Sequence, residues 1–253
     1  MRFSGSAAVI TGGGQGIGAV VARALAAEGA TVVVAARNAD RIEAVAGAIR
    51  SAGGSAWAVR CDVTDPASVR ALADAAARHL KAVDILVNNA GVAHSAPLHK
   101  ITLDDWNRVM AVNATGTFLC TQAFVPGMLA RQRGSVVNVA SVAGLGGARY
   151  IAAYAAAKHA VIGFTRSVAA EVEGTGVTCN AVCPGYVDTE MTRESVARVV
   201  ATTGKSAADA LSAMLAASSQ QRLITPEEVA QAVLALCDPR GDRSNGAAVT
   251  LAG

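Results

Sequence analysis

Charge is scarce in this chain of 253 residues: Asp, Glu, Lys and Arg make up 16% of it, and the net charge is only +3. No basic block occurs, and no basic run is interleaved with aromatics, so nucleic acid is not an expected partner. Cysteine is sparse and scattered. Its five positions, Cys61, Cys120, Cys179, Cys183 and Cys237, are odd in number and suit a reducing cytoplasm better than a disulfide framework. Cys179 and Cys183 share a strand-like segment but lack Cys or His partners at ligand spacing, so no metal site is expected. The opening MRFSGSAAVIT lacks the long apolar run and small-residue cleavage site of a secretory leader, which again points to the cytoplasm. The length fits one large α/β domain or two small ones; repeats, low-complexity tracts and interdomain linkers are absent too, so a single domain, 1–253, is expected.

The longest uncharged run lies in the middle of the chain. Val109 to Ala130 carries no charge and has the length of a membrane span. It also holds Asn113, Thr115, Thr117, Thr121, Gln122, Pro126 and two glycines, which lipid would penalise. The expectation is therefore a long helix buried in the core or against another subunit, and no membrane.

Apolar residues, in contrast, make up 52% of the chain. They fall into short β-branched runs that alternate with longer helical ones. Strands are expected at Ala7–Thr11, Thr31–Ala36, Ala56–Cys61, Asp84–Asn88, Gly134–Ser141, Val177–Cys183 and Ala247–Leu251. Helices are expected at Gln15–Glu28, Asp40–Ser51, Pro66–Leu80, Leu103–Arg131, Ile151–Glu173 and Pro226–Cys237. Thr64, before DPASV, and Thr225, before PEEVA, stand where N-caps belong. Strands this apolar predict a parallel sheet covered on both faces, and the βαβ alternation predicts a doubly wound α/β fold. Gly185 to Gln221 is the least regular region and reads as two short helices in an excursion, a candidate lid.

Three local patterns carry chemistry. VITGGGQGIG (9–18) follows the first strand and opens the first helix. The G-x-G-x-x-G spacing fails here, because Gly12-x-Gly14 leads to Ile17. The spacing that fits is Gly12, three residues, then Gly16, Ile17 and Gly18. Glycines in such a turn let the backbone approach a phosphate at a helix N-terminus. No Lys-Ser/Thr follows, so this is not a Walker loop. AAYAAAK (152–158) places Tyr154 and Lys158 four residues apart, on one face of a helix. A cation there is expected to lower the phenol's pKa and fit it for proton transfer; the plainer reading is a half-buried Tyr beside a solvated Lys. The second strand ends in Ala36 and Arg37 where an acid would favour NAD.

These patterns recur in order with TGGGQGIG (11–18), CDV (61–63), NNAG (88–91), VNATG (112–116), NVASVAG (138–144), YAAAK (154–158) and NAVCPGYVDTEM (180–191). Along its whole length the chain resembles the short-chain dehydrogenase/reductases of the classical type. The resemblance implies a seven-stranded Rossmann-type sheet, a nicotinamide dinucleotide, and a homodimer or homotetramer. It assigns Tyr154 as general acid in ketone reduction and general base in alcohol oxidation. Lys158 would lower its pKa and hold the nicotinamide ribose, Ser141 would hold the substrate oxygen, and Asn113 would interrupt its helix and anchor a water relaying protons to Lys158.

For the cofactor, the resemblance matches Asp62 and Val63 to the adenine, and Asn89, Ala90 and Gly91 to the ribose and nicotinamide side. Asn88 would brace the sheet. Pro184, Gly185, Val187 and Thr189 would cup the carboxamide and phosphates. Ala36 removes repulsion toward a 2′-phosphate and Arg37 can pair with it, so NADP(H) is favoured; Gln15, where many NADP enzymes of the family carry a basic residue, keeps NAD(H) open.

Substrate contacts are expected from 141–154, with Arg149 and Tyr150 one turn before Tyr154, and from the excursion after Thr189. His94 lies near the expected mouth. Several segments resemble members acting on 3-oxoacyl or 3-hydroxyacyl thioesters and polyketide ketoreductases. Arg149, Arg193, Arg198 and Lys205 could meet a phosphopantetheine or coenzyme A phosphate. The expected activity is hydride transfer between nicotinamide and a small carbonyl or secondary alcohol. The alternatives are an NAD-dependent secondary alcohol or 3-hydroxyacyl dehydrogenase and, remotely, a silent dinucleotide sensor.

Overall fold

Seven runs of β-branched and small apolar residues become strands: β1 (Ala7–Thr11), β2 (Thr31–Ala36), β3 (Ser55–Arg60), β4 (Ile85–Asn88), β5 (Gly134–Val139), β6 (Val177–Pro184) and β7 (Ala248–Leu251). They pair in parallel as one sheet, ordered β3-β2-β1-β4-β5-β6-β7, in a computed structural model that describes residues 1–241 and 243–253. Side chains alternate between faces, so each strand feeds two cores. Ala8, Ile10, Val32 and Val34 meet α1 (Gly16–Ala27), α2 (Ala39–Ser51) and α9 (Pro226–Cys237) on one face. Val9, Val33 and Leu86 meet α3 (Pro66–Leu80), α5 (Gly116–Ala130) and α6 (Ala152–Glu171) on the other. With both faces covered, every residue of β1 and β6 is buried, and these strands carry no charge.

β1 pairs with β2 on one side and β4 on the other, so the winding reverses between β1 and β4. A crevice opens at that reversal, outside the carboxyl ends of the strands. Four segments matched to the site leave carboxyl ends here: the glycine turn after β1, residues 89–91 after β4, Ser141 after β5, and Gly185 after β6.

Three expectations are corrected in detail. The N-cap of α3 is Asp65, whose side chain accepts from the Ala67 N–H, and not Thr64. Pro66 starts the helix immediately after Asp65, while Thr64 turns back to donate its N–H and hydroxyl to Asp62 at 3.0 and 2.8 Å. The helix expected over Leu103–Arg131 is three pieces: α4 (Leu103–Met110), a π-turn over Ala111–Thr115, and α5. β5 stops at Val139, and Ser141 instead caps a 3₁₀ turn over Val142–Gly144. The Thr225 cap stands as a full capping box with Glu228. The excursion holds α7 (Glu190–Thr203) and α8 (Ala207–Ala217). Among the described residues no helix is long and apolar enough to cross a membrane.

Candidate active site

The glycine turn is shaped by close approach. Gly12 and Gly16 have φ of +64° and +51°, the left-handed region that costs other residues strain. A Cβ on Gly12 would stand 2.8 Å from the Ala90 Cα, and one on Gly18 would stand 2.4 Å from Asn89 Nδ2. Asn89 is the brace that needs this space. Its amide donates to the carbonyls of Thr11 and Gly12, both at 3.1 Å, and Thr11 Oγ1 accepts from the Asn89 and Ala90 N–H groups. Gln15 caps α1 with extended backbone and no side-chain bond. The amides of the first turn, Gly16, Ile17 and Gly18 among them, therefore have no intrahelical acceptor and present a positive helix end. Thr189 lies over this end, its methyl 3.4 Å from where a Gly16 Cβ would be. Arg41 and Glu190 form an ion pair at 2.9 Å that joins α2 to the start of α7 beside the turn. A bare turn with free amides is a cradle that fits a dinucleotide pyrophosphate.

Beyond the ends of β2 and β3, Arg37, Arg60, Asp62, Asp65 and Ser68 line a pocket of about 450 Å³. Arg60 pairs in register with Ala36, and its Nε donates to the Arg37 carbonyl at 3.3 Å. Two arginines thus share one pocket at the carboxyl ends of β2 and β3. The Asp62 carboxyl is held below its ordinary range, first by the Thr64 N–H and further by Arg37 and Arg60. Val63 packs under α5, where a Cβ on Gly116 would stand 2.6 Å from its Cγ2. Sequence reasoning missed Arg60. Its only signal was its position two residues before Asp62, and β-pairing is what carries it to Arg37.

Asn113 sits within the π-turn and is 1% exposed. Its amide is committed to one residue: Oδ1 accepts from the Val92 N–H at 2.8 Å and Nδ2 donates to the Val92 carbonyl at 2.9 Å. That pins the loop after β4 to the π-turn. A Cβ on Gly91 would lie 3.3 Å from Asn113 Oδ1 and 3.8 Å from Lys158 Nζ. Lys158 is buried, donates to the Val139 carbonyl at 2.7 Å, and holds its Nζ 5.6 Å from the Tyr154 ring centroid. Ser141 donates to the Pro184 carbonyl at 3.3 Å and accepts from the Ala143 N–H at 3.2 Å. Tyr154, Lys158, Ser141, Asn113 and Gly91 therefore meet in one cluster.

The electrostatics differ from the expectation that Lys158 lowers the phenol. Burial pushes Tyr154 up to about 12, with the Ser141 hydroxyl pulling the other way. Burial pulls Lys158 down to about 8. Desolvation opposes the charged form of each and is the largest cause of both shifts.

At the end of β6, Gly185 donates its N–H to Leu251 O, and Val187 pairs with Ile224 where the excursion returns to the sheet. Tyr150 is not one helical turn before Tyr154. It precedes α6, has φ +69°, is 60% exposed, and its carbonyl accepts from the Ala96 N–H. His94 Nε2 lies 3.5 Å from Asp105 Oδ1, and its Nδ1 is buried with no partner. Arg193 is engaged by Asp188 at 2.7 Å and Arg198 by Ser195 at 2.9 Å, while Arg149 and Lys205 are exposed.

The chain belongs to the short chain dehydrogenase family, whose profile matches residues 6–200. It is 40% identical over 252 residues to cis-4-hydroxycyclohexanecarboxylate dehydrogenase of Sinomonas cyclohexanicum, covering 99% of this chain and 96% of the relative. It is 43% identical over 186 residues to 3-oxoacyl-[acyl-carrier-protein] reductase of Synechocystis sp., covering 73% and 75%. The crystal structure of a variant actinorhodin polyketide ketoreductase with NADPH superposes with a TM-score of 0.94 at 34% identity, covering 100% of this chain and 97% of that one. The chain is accordingly an NAD(P)-dependent oxidoreductase that interconverts carbonyls and alcohols.

Proposed function

We propose that the chain is an NADP(H)-preferring carbonyl reductase whose substrate is a 3-oxoacyl thioester or a related ketone. The observation that carries the reading is the cluster of Ser141, Tyr154, Lys158 and Asn113 at the carboxyl edge of the sheet, beside a bare glycine turn. The cofactor, when bound, supplies or accepts the hydride. The chain's own residues handle the proton and the charge. Ser141 Oγ holds the substrate oxygen. Tyr154 delivers the proton from its hydroxyl, and a phenol held protonated by burial is in the right form for an acid. Lys158 stabilises the phenolate left behind and holds the nicotinamide ribose, while Asn113 keeps the Val92 loop against them. Gly12, Gln15, Gly16, Ile17 and Gly18 take the pyrophosphate side, Asp62, Val63, Asn89, Ala90 and Gly91 line the adenosine and ribose path, and Pro184, Gly185, Val187 and Thr189 cup the carboxamide.

Arg37 and Arg60 around one pocket support the phosphorylated cofactor. The Sinomonas relative, a dehydrogenase, keeps alive a second reading, oxidation of a secondary alcohol with NAD. Five unpaired cysteines favour a reducing compartment, the cytoplasm. The uncharged helix α5 supports a homodimer or homotetramer, since Phe118 and Leu129 are 41% and 37% exposed on it.

The deciding experiment is reduction of acetoacetyl-coenzyme A by purified protein with NADPH and NADH side by side. Turnover mainly with NADPH is expected; turnover mainly with NADH would overturn the cofactor preference. Arg37→Ala and Arg60→Ala should each weaken NADPH binding by about tenfold or more, on the scale of a lost charged hydrogen bond, and NADH binding far less. Equal losses with both would refute the arginine pair.

A further inference from the structure

Gln220 is a polar residue 7% exposed, placed between the end of α8 and the return to the sheet. Its side-chain amide closes on a residue 34 positions away. Oε1 accepts from the Tyr186 N–H at 2.7 Å, and Nε2 donates to the Tyr186 carbonyl at 3.3 Å. One amide thus satisfies both polar groups of Tyr186, as a neighbouring strand would. The same Oε1 accepts from the Ser218 hydroxyl at 3.0 Å, and Nε2 also donates to the Arg222 carbonyl at 3.3 Å. A backbone N–H must donate and carbonyls must accept, so the amide has a single orientation. Gly185 leaves the room: a Cβ there would lie 2.3 Å from Oε1.

The clamp sits where the chain leaves the sheet for the lid. The Asp188 N–H donates to Ile224 O at 2.9 Å, and the Ile224 N–H donates to Tyr186 O at 3.0 Å. In this parallel pairing the N–H and C=O of Val187 point to the opposite side from Ile224. The Val187 carbonyl accepts there from the Thr192 hydroxyl at 2.6 Å, and its N–H faces the same way. The plane of the Tyr186–Val187 peptide is therefore set by Tyr186, whose carbonyl is shared by Ile224 and Gln220 and whose N–H is held by Gln220. We infer that Gln220 is a positioning residue that aims the Gly185–Val187 backbone at the carboxamide end of the cofactor and ties both ends of the lid to it. The inference rests on the dinucleotide reading above. Nothing in the clamp reaches the Arg37–Arg60 pocket, so it acts on one end of the cofactor only.

Calorimetric binding to the full chain tests this with two probes: NADPH, and adenosine 2′,5′-bisphosphate, which lacks the nicotinamide half. Wild-type affinity for NADPH is measured first; no binding of NADPH or NADH would overturn the dinucleotide reading and this inference with it. If NADH is the tighter ligand, NADH and AMP serve as the pair. Q220L keeps the bulk and loses the bonds. It should weaken the dinucleotide by about tenfold and leave the adenosine fragment within about twofold. In Q220E the protonated acid can still donate to the Tyr186 carbonyl, so dinucleotide affinity relative to wild type should recover as pH falls. The inference is overturned if both probes weaken equally or if neither does, and equally by a Q220E ratio that does not move with pH.

Discussion

Burial acts on Tyr154 and Lys158 in opposite directions and for one reason: each is driven toward its neutral form. Tyr154→Phe removes only the hydroxyl and leaves the packing. Turnover should fall by about a hundredfold or more, the range of a lost general acid, while cofactor binding persists. Unchanged turnover would remove Tyr154 from the mechanism. Lys158 offers a test of burial itself. Its folded pKa of about 8 lies below the unfolded value of roughly 10.4. Between these values the unfolded chain binds more protons, so the lysine's contribution to stability improves as pH rises through that window. Denaturant titrations of wild type and Lys158→Met should show their stability difference shifting in favour of wild type from about pH 8 to about pH 10.4. A difference flat with pH would mean that the ammonium is not desolvated.

The π-turn over Ala111–Thr115 shows how one side chain can shape an element. A helix interrupted in mid-course marks a functional strain point when a side chain depends on it. Here the widened turn presents Asn113 to both polar groups of Val92. Asn113→Ala should strand those two groups at a cost of about 1–3 kcal/mol each, read as a lower denaturation midpoint with far-UV dichroism nearly unchanged. Turnover should drop as well, because the loop it holds carries Gly91 against Lys158. A variant as stable and active as wild type would show that the loop needs no such anchor. Asn88 plays a parallel part within the sheet, donating to Asn138 at 2.8 Å and to Thr121 on α5 at 2.9 Å. That role was legible by resemblance, whereas the commitment of Asn89 to the glycine turn was not.

On the scale of the molecule, the uncharged helix α5 is covered on only one side. Phe118 meets Phe164 of α6 edge-on at 6.2 Å between centroids, and Phe118 remains 41% exposed. An apolar helix face left open in this way suits a second copy of the chain. Phe118→Glu should shift the mass measured by light scattering toward the monomer; an unchanged mass would move the interface elsewhere.

The amino-acid sequence alone determined the alternation of strands and helices, the glycine turn, and the one-turn spacing of Tyr154 and Lys158, because each of these is a repeat or offset contained in a few neighbouring residues. Even the break at Asn113 was legible, though by resemblance. Tertiary structure decided the rest. Strand pairing set Arg60 beside Arg37, and the return of the excursion to the sheet set Gln220 on Tyr186. The direction of the phenol's shift followed the same division. A four-residue offset announces a cation near Tyr154, but desolvation depends on everything packed around it, and that is summed only in the folded chain.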